Sequence, residues 1–115
     1  MTSGNKLAGP LTGLRVLELT SEHAQFCGKL MADLGADVIK VEPPGGQETR
    51  NVGPFLEDEA HPERSLYFWH YNTSKRGVTL DLNLPDGQDI FRKLSATAGL
   101  VLESFPAGYL SDLGL

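Results

Sequence analysis

His23, Cys27, Asp81 and four cations, Lys40, Arg50, Lys75 and Arg76, are the side chains of this sequence with the type and placement to do chemistry. His23 follows a predicted strand and precedes a predicted helix, where the N–H groups of a helix start favour an anion; a partly exposed loop histidine is the plainer reading. Cys27 falls on the apolar side of that helix with no base beside it in sequence, which makes it a buried structural thiol rather than a nucleophile. Asp81, within Leu80-Asp81-Leu82, is a carboxylate at a strand position that alternation turns to solvent by default. Three of the four cations flank the predicted ligand edge of an otherwise acidic chain, and two readings stand: scattered surface charge, or a cluster that holds phosphate. The turn after the first strand reads Thr20-Ser21-Glu22-His23-Ala24-Gln25, without the glycines of a dinucleotide fingerprint. No phosphate-loop motif, paired cysteines or histidines at helical spacing occur either, so no metal site is expected.

The elements that must position these groups show in the hydrophobic pattern. Leu14–Leu19 is a short apolar strand. From Ala24 to Leu34 the residues Phe26, Cys27, Leu30, Met31 and Leu34 recur at helical spacing, which predicts their burial, and Gly35 offers a left-handed stop. Asp37–Glu42 is a β-branched strand that Pro43-Pro44-Gly45-Gly46 terminates. Pro43–Arg64 has neither period and is too long for an ordinary connection, hence a ligand-covering flap or a mobile insertion. Ser65–Tyr71 holds four of the nine aromatic residues and predicts a short helix or turn. Gly77–Leu82 reads as a third strand, Pro85–Ala98 as a helix burying Ile90, Phe91, Leu94 and Ala98, and Leu100–Ser104 as a fourth strand. One or two helical turns follow at Tyr109–Leu113. Alternating strands and helices predict an α/β, Rossmann-like, mainly parallel sheet with flanking helices. Ligands of such sheets bind beyond the carboxyl ends of the strands, here Thr20–Gln25, Glu42–Gly46, Leu82–Asn83 and Ser104–Pro106.

With 115 residues the chain suffices for one domain. Ten basic against fifteen acidic residues leave a net charge of −5, which disfavours nucleic acid as a partner. No apolar run approaches the roughly 20 residues of a membrane span, and Met1–Gly9 shows no leader pattern. One cysteine cannot form an internal disulfide, and the chain reads as cytoplasmic.

The blocks Pro10–Leu19, Leu30–Gly46, Arg50–Pro54, Asn72–Leu82 and Leu102–Phe105, continued to Leu113-Gly114-Leu115, resemble in order the N-terminal segment of the family III coenzyme A transferases. This CaiB/BaiF type includes formyl-CoA transferase, carnitine CoA-transferase relatives and alpha-methylacyl-CoA racemase. The resemblance implies that residues 1–115 are a single, incomplete domain, the N-terminal part of a Rossmann-like large domain in an interlocked homodimer. It implies coenzyme A or acyl-CoA and carboxylic acids as substrates. In the transferases an aspartate attacks the thioester, forming first a mixed anhydride and then a thioester with coenzyme A. That aspartate normally lies beyond the stretch present here, so no catalytic residue is assigned. Carried over position by position, the family's coenzyme A contacts fall at His23, Ala24, Pro43, Leu80, Asp81, Leu82, Asn83 and Ser104, with Lys75 and Arg76 as its basic pair. This chain departs from the family where His23-Ala24-Gln25-Phe26 replaces an Ala-Gly-Pro turn, where Pro43 and Asp112 stand in place of arginines, and where Ser104 replaces an asparagine. A coenzyme A transferase is the leading expectation, an acyl-CoA racemase of the same family the next, and a non-catalytic coenzyme A-binding or subunit-interaction fragment the third. Four strands with two full helices leave sheet faces and edges uncovered, which predicts marginal stability and association in isolation.

Overall fold

The computed structural model describes residues 9–115. Residues 1–8, most of the stretch read above as lacking a leader, lie outside the described residues. Strands β1 (Arg15–Leu19), β2 (Asp37–Glu42), β3 (Arg76–Thr79) and β4 (Leu100–Glu103) form one sheet in the order β3-β2-β1-β4. All three pairings are parallel, in the registers Val16↔Val38, Val16↔Leu100 and Ile39↔Arg76. The chain winds from β1 through β2 to β3 on one side and then crosses to β4 on the other, so the winding reverses between β1 and β4. The helices are α1 (Gln25–Asp33), α2 (Leu66–Tyr71), α3 (Pro85–Ser95) and α4 (Tyr109–Asp112). The Rossmann-like α/β class read from the sequence is the architecture found.

The two faces of the sheet differ in kind. Leu17, Leu19, Ile39 and Val41 point to one side and form, with Leu82 and Phe91, an apolar core that Leu94, Ala98 and Phe105 complete. Pro85 opens α3 over this core, and Gly87 lets the helix approach, because a Cβ there would collide with the Asp81 carbonyl oxygen. On the other side Val16 and Val38 pack against Ala32 and Ala36, while Glu18, Lys40 and Glu42 are buried beside them.

This second face overturns the burial expected for α1. Gln25, Gly28 and Ala32 face the sheet, whereas Phe26, Leu30 and Leu34 are about half exposed. Cys27 is exposed, not a buried structural thiol. The reason is steric: a Cβ at position 28 would collide with Glu18 Oε1, so the helix sits low over the sheet on its smallest residues. Gly35 takes the left-handed conformation expected of a stop, at φ 105°. Ile90 of α3 is likewise exposed, while Phe91 is buried.

The long segment after β2 is bound to the sheet. Two short 3₁₀ turns, Glu48–Asn51 and Leu56–Asp58, lie within it. Arg50 donates two hydrogen bonds to Glu42, each 2.7 Å, and its guanidinium lies 3.9 Å from the centre of the Phe68 ring. Ser65 Oγ donates to the Val52 carbonyl at 2.6 Å and caps α2 by accepting from the Phe68 N–H at 3.0 Å. The segment between β3 and α3 is also shorter in strand than expected. Pairing stops at Thr79, opposite Glu42: the Leu80 N–H still donates to the Glu42 carbonyl at 2.9 Å, but the next β2 position facing β3 is Pro44, which has no N–H. Leu80–Asn83 is therefore a turn, in which Asp81 Oδ1 accepts the Asn83 N–H at 3.0 Å.

Candidate functional site

Beyond the carboxyl ends of the strands two adjoining cavities share Leu19, Pro43, Gln47 and Phe105. The first, about 200 Å³, is closed by the Leu80–Asn83 turn, Val41, Glu42 and Tyr109. The second, about 500 Å³, lies where the winding reverses between β1 and β4 and is lined by Ser21, Ser104 and Pro106 together with Gly46, Glu48 and Asn51. A crevice at the reversal point is where an open parallel sheet takes its ligands, because adjacent connections there diverge to opposite faces. The tethered segment after β2 supplies one wall through Gly46, Gln47, Glu48 and Asn51.

Of the residues singled out from the sequence, Pro43, Leu80, Asp81, Leu82, Asn83 and Ser104 line this cleft. Ser104 Oγ accepts the Ser21 N–H at 3.0 Å and so clips the β1–α1 turn to the end of β4. His23 and Ala24 sit on that turn but line neither cavity; the His23 side chain is 80% exposed. Ala24 is left-handed, at φ 68°, and no side chain caps the first turn of α1.

The basic pair lies elsewhere. Lys75 is 2% exposed at its side chain, with Nζ 2.7 Å from Glu18 Oε1, 2.9 Å from the Gln25 carbonyl and 2.8 Å from Asn72 Oδ1. Two of the three ammonium N–H donors are taken by the hydrogen bonds to Gln25 and Asn72. The Glu18 contact is a close ion pair whose angle departs from hydrogen-bond alignment. Arg76 begins β3 at the opposite, amino end of the sheet and makes two 2.9 Å bonds to Asp37, which Arg15 also contacts at 2.9 Å. Lys40 pairs with Glu18 at 2.8 Å and Arg50 with Glu42 at 2.7 Å. Neither reading of the four cations as a group therefore holds: each is engaged by a carboxylate, and two of them are buried.

The cleft itself is acidic and aromatic. Glu42, Glu48 and Asp81 line it with no Lys or Arg, and the Phe105 and Tyr109 rings lie 4.5 Å apart. Burial opposes ionisation of Glu42, but hydrogen bonds from Arg50 and from the Gln47 N–H, with the Arg50 charge, hold its carboxyl below the usual range. Asp37 is lowered in the same way, Arg76 and Arg15 outweighing burial. Phe105 falls within the expected Ser104–Pro106 edge, whereas Gln47 and Tyr109 escaped the sequence reading because nothing local marks them; they reach the cleft only through the tertiary fold. Glu18 carried a faint signal, an acid inside an apolar strand next to which a glycine-bearing helix must pack. Among the described residues no group of three or more His, Cys, Asp and Glu is placed to hold a metal, and no helix is long and apolar enough to cross a membrane.

Known proteins extend these observations. The family model for CoA-transferase family III matches residues 11–115. Succinyl-CoA:(R)-benzylsuccinate CoA-transferase subunit BbsE of Thauera aromatica is 43% identical over 101 residues, 88% of this chain and 25% of that protein. Succinate–glutarate CoA-transferase of Agrobacterium fabrum is 42% identical over 110 residues, 92% of this chain and 28% of that protein. Among solved structures, a CaiB/BaiF family protein from Brucella suis superposes with a TM-score of 0.83 at 41% identity, covering 95% of this chain and 29% of that one. The hypothetical protein Rv3272 of Mycobacterium tuberculosis gives 0.83 at 39% identity, covering 96% and 29%. The chain thus spans about a quarter of the length of the curated relatives it matches. A parallel sheet wound in this order, a cleft at its reversal point and a match over nearly all the described residues agree: the chain belongs to CoA-transferase family III.

Proposed function

We propose that this chain is the coenzyme A-binding segment of an enzyme that moves coenzyme A between carboxylic acids, with an acyl-CoA and a free acid as substrates. The observation that carries the reading is the two-part cleft at the carboxyl edge, within a chain whose family match runs from residue 11 to residue 115. Two features of the first chamber suit the adenine base of coenzyme A: the Phe105 and Tyr109 rings offer it a surface, and Asp81 and Asn83 offer acceptors to its N–H groups. The phosphates gain no cation from the cleft lining. The first N–H groups of α1, beside His23 and Ala24, favour them, and their counter-charges come from elsewhere in the full subunit or its dimer partner. Within this segment the residues bind and orient; the nucleophilic carboxylate lies outside it. The named relatives are transferases, which favours transfer over the racemase reading. An exposed, unpaired Cys27 agrees with a reducing, cytoplasmic setting.

The test is isothermal titration of the folded chain with coenzyme A, beside Phe105→Ala. Binding near 1 μM, roughly −8 kcal/mol, that weakens at least tenfold in the variant is the expected result. Absence of binding by the folded chain would overturn a self-sufficient site and leave the chain as an incomplete piece whose cleft needs the rest of the subunit.

A further inference from the structure

Three charges are closed off from water between α1 and the sheet: Glu18, Lys40 and Lys75, whose side chains are 0%, 3% and 2% exposed. Two cations against one anion is an odd composition for a buried site, because each ion removed from water carries a desolvation cost and only one pair can be neutral. Burial lowers the Lys75 ammonium to about 8 in spite of the attraction of Glu18, with Lys40 and Lys29 pushing the same way. Charged Lys75 therefore lowers the stability of the fold at neutral pH. The hydrogen bonds indicate what it does there.

Lys40 Nζ, besides Glu18, reaches the Thr20 carbonyl at 3.3 Å; Lys75 Nζ reaches the Gln25 carbonyl at 2.9 Å. Thr20 and Gln25 are the two ends of the β1–α1 turn. Between them Ala24 holds a left-handed backbone, a conformation that an alanine keeps only where its surroundings over-determine it. Gln25 is itself buried and its side chain donates to Tyr67 Oη at 3.1 Å, so the turn is gripped from β1, β2 and α2 at once.

We propose that Lys75 is a positioning residue for the ligand of the carboxyl edge: by tying the Gln25 carbonyl to Glu18 it fixes the β1–α1 turn in the geometry that aims the first N–H groups of α1 at an anionic ligand. This rests on the reading of the cleft as a coenzyme A site, and it gives the family's basic pair a role at Lys75 without phosphate contact. The groups that face Lys75 are Glu18 of β1, Lys40 of β2, Gln25 and Lys29 of α1, and Asn72 at the end of α2. Loss of its proton removes the charge that holds Nζ beside Glu18 and turns two charge-assisted hydrogen bonds into weaker neutral ones, so the turn loosens as the amine becomes neutral.

The experiment compares wild type with Lys75→Met, a variant of similar length that leaves Glu18 paired with Lys40. Amide hydrogen exchange in residues 21–28 should accelerate at least tenfold while α3 and β4 keep their protection. The melting temperature should stay level or rise, and coenzyme A affinity should fall at least tenfold. Wild-type exchange in the turn of a folded Lys75→Met chain would overturn the proposal whatever coenzyme A does. Failure of the wild type to bind coenzyme A would instead overturn the reading of the cleft, and the exchange result would still decide whether Lys75 holds the turn. Should the variant not fold, ¹³C-detected NMR of the wild type supplies the answer. The Gln25 carbonyl resonance should titrate together with the Lys75 side chain, with a midpoint near 8. A Gln25 resonance that ignores the Lys75 titration would overturn the proposal.

Discussion

One sheet carries two unlike interiors. Under α3 it is an apolar core of Leu17, Leu19, Ile39, Val41, Leu82 and Phe91; under α1 and α2 it buries Glu18, Lys40 and Glu42, with Lys75 reaching in from the loop before β3. The first face gains its stability from area removed from water and is indifferent to orientation in detail. The second forgoes part of that gain for directional contacts, and these end on the turn that borders the cleft. Cohesion and placement are thus divided between opposite sides of the same four strands.

The largest expected effects separate the two faces by mechanism. Phe91→Ala should lower unfolding stability by about 3–5 kcal/mol in urea denaturation, through lost transfer energy and a cavity. Glu18→Gln should lower it by about 3–5 kcal/mol as well, by leaving two buried ammonium groups without a counter-charge. Their pH responses set them apart. Removing Glu18 makes stability rise steeply as pH passes through the lysine range, whereas the Phe91→Ala loss is flat. Gly28→Ala follows, at about 1–3 kcal/mol from overpacking against Glu18, and combining it with Glu18→Gln should give a non-additive result in a double-mutant cycle.

Acid titration probes the outer parts of the charged face. Glu42 has a folded pKa below its unfolded value of 4.5, so the stability it contributes is complete above that pH and lost as pH falls through the folded value. Glu42→Gln should flatten the acid limb of the stability profile, and an unchanged limb would deny the Arg50 tether a role in holding the segment after β2. At the alkaline end Lys75 gives a slope of the same sign for the opposite reason, since its charged form is the destabilised one. Its folded pKa of about 8 is below the unfolded 10.5, the unfolded chain binds more protons in between, and stability rises with pH across that window. Smallest is Arg76→Ala, which removes a partly exposed pair with Asp37 and should change stability by about 1 kcal/mol or less.

The contrast between the faces also explains what could be read without coordinates. Val16, Leu17, Val38 and Ile39 declare their strands because β-branched and aliphatic runs bounded by turn residues have few other solutions. The cleft followed from topology alone, since any sheet wound this way places its ligand edge at Thr20, Pro43, Asn83 and Ser104. The charged face did not. Helical spacing identifies α1 as amphipathic, but Phe26, Leu30 and Leu34 are the exposed stripe, and the buried stripe of Gln25, Gly28 and Ala32 is small and mixed in character. Lys40 and Lys75 read as surface charge or as phosphate ligands, not as a buried pair with Glu18, because a lysine is almost always exposed unless paired, and Glu18 lies 22 residues away in one case and 57 in the other.

The bare backbone at Gly28 has an evolutionary corollary. A side chain at 28 requires a shorter residue at 18; a shorter, uncharged residue at 18 strands two ammonium groups; and removing one of them frees the Gln25 carbonyl. No single-step path leads from this arrangement to an apolar one without passing through a poorly folded intermediate or a misplaced turn. Positions 18, 28, 40 and 75 therefore form a lock that sequence drift can open only by several coordinated changes, although none of the four has to touch the ligand.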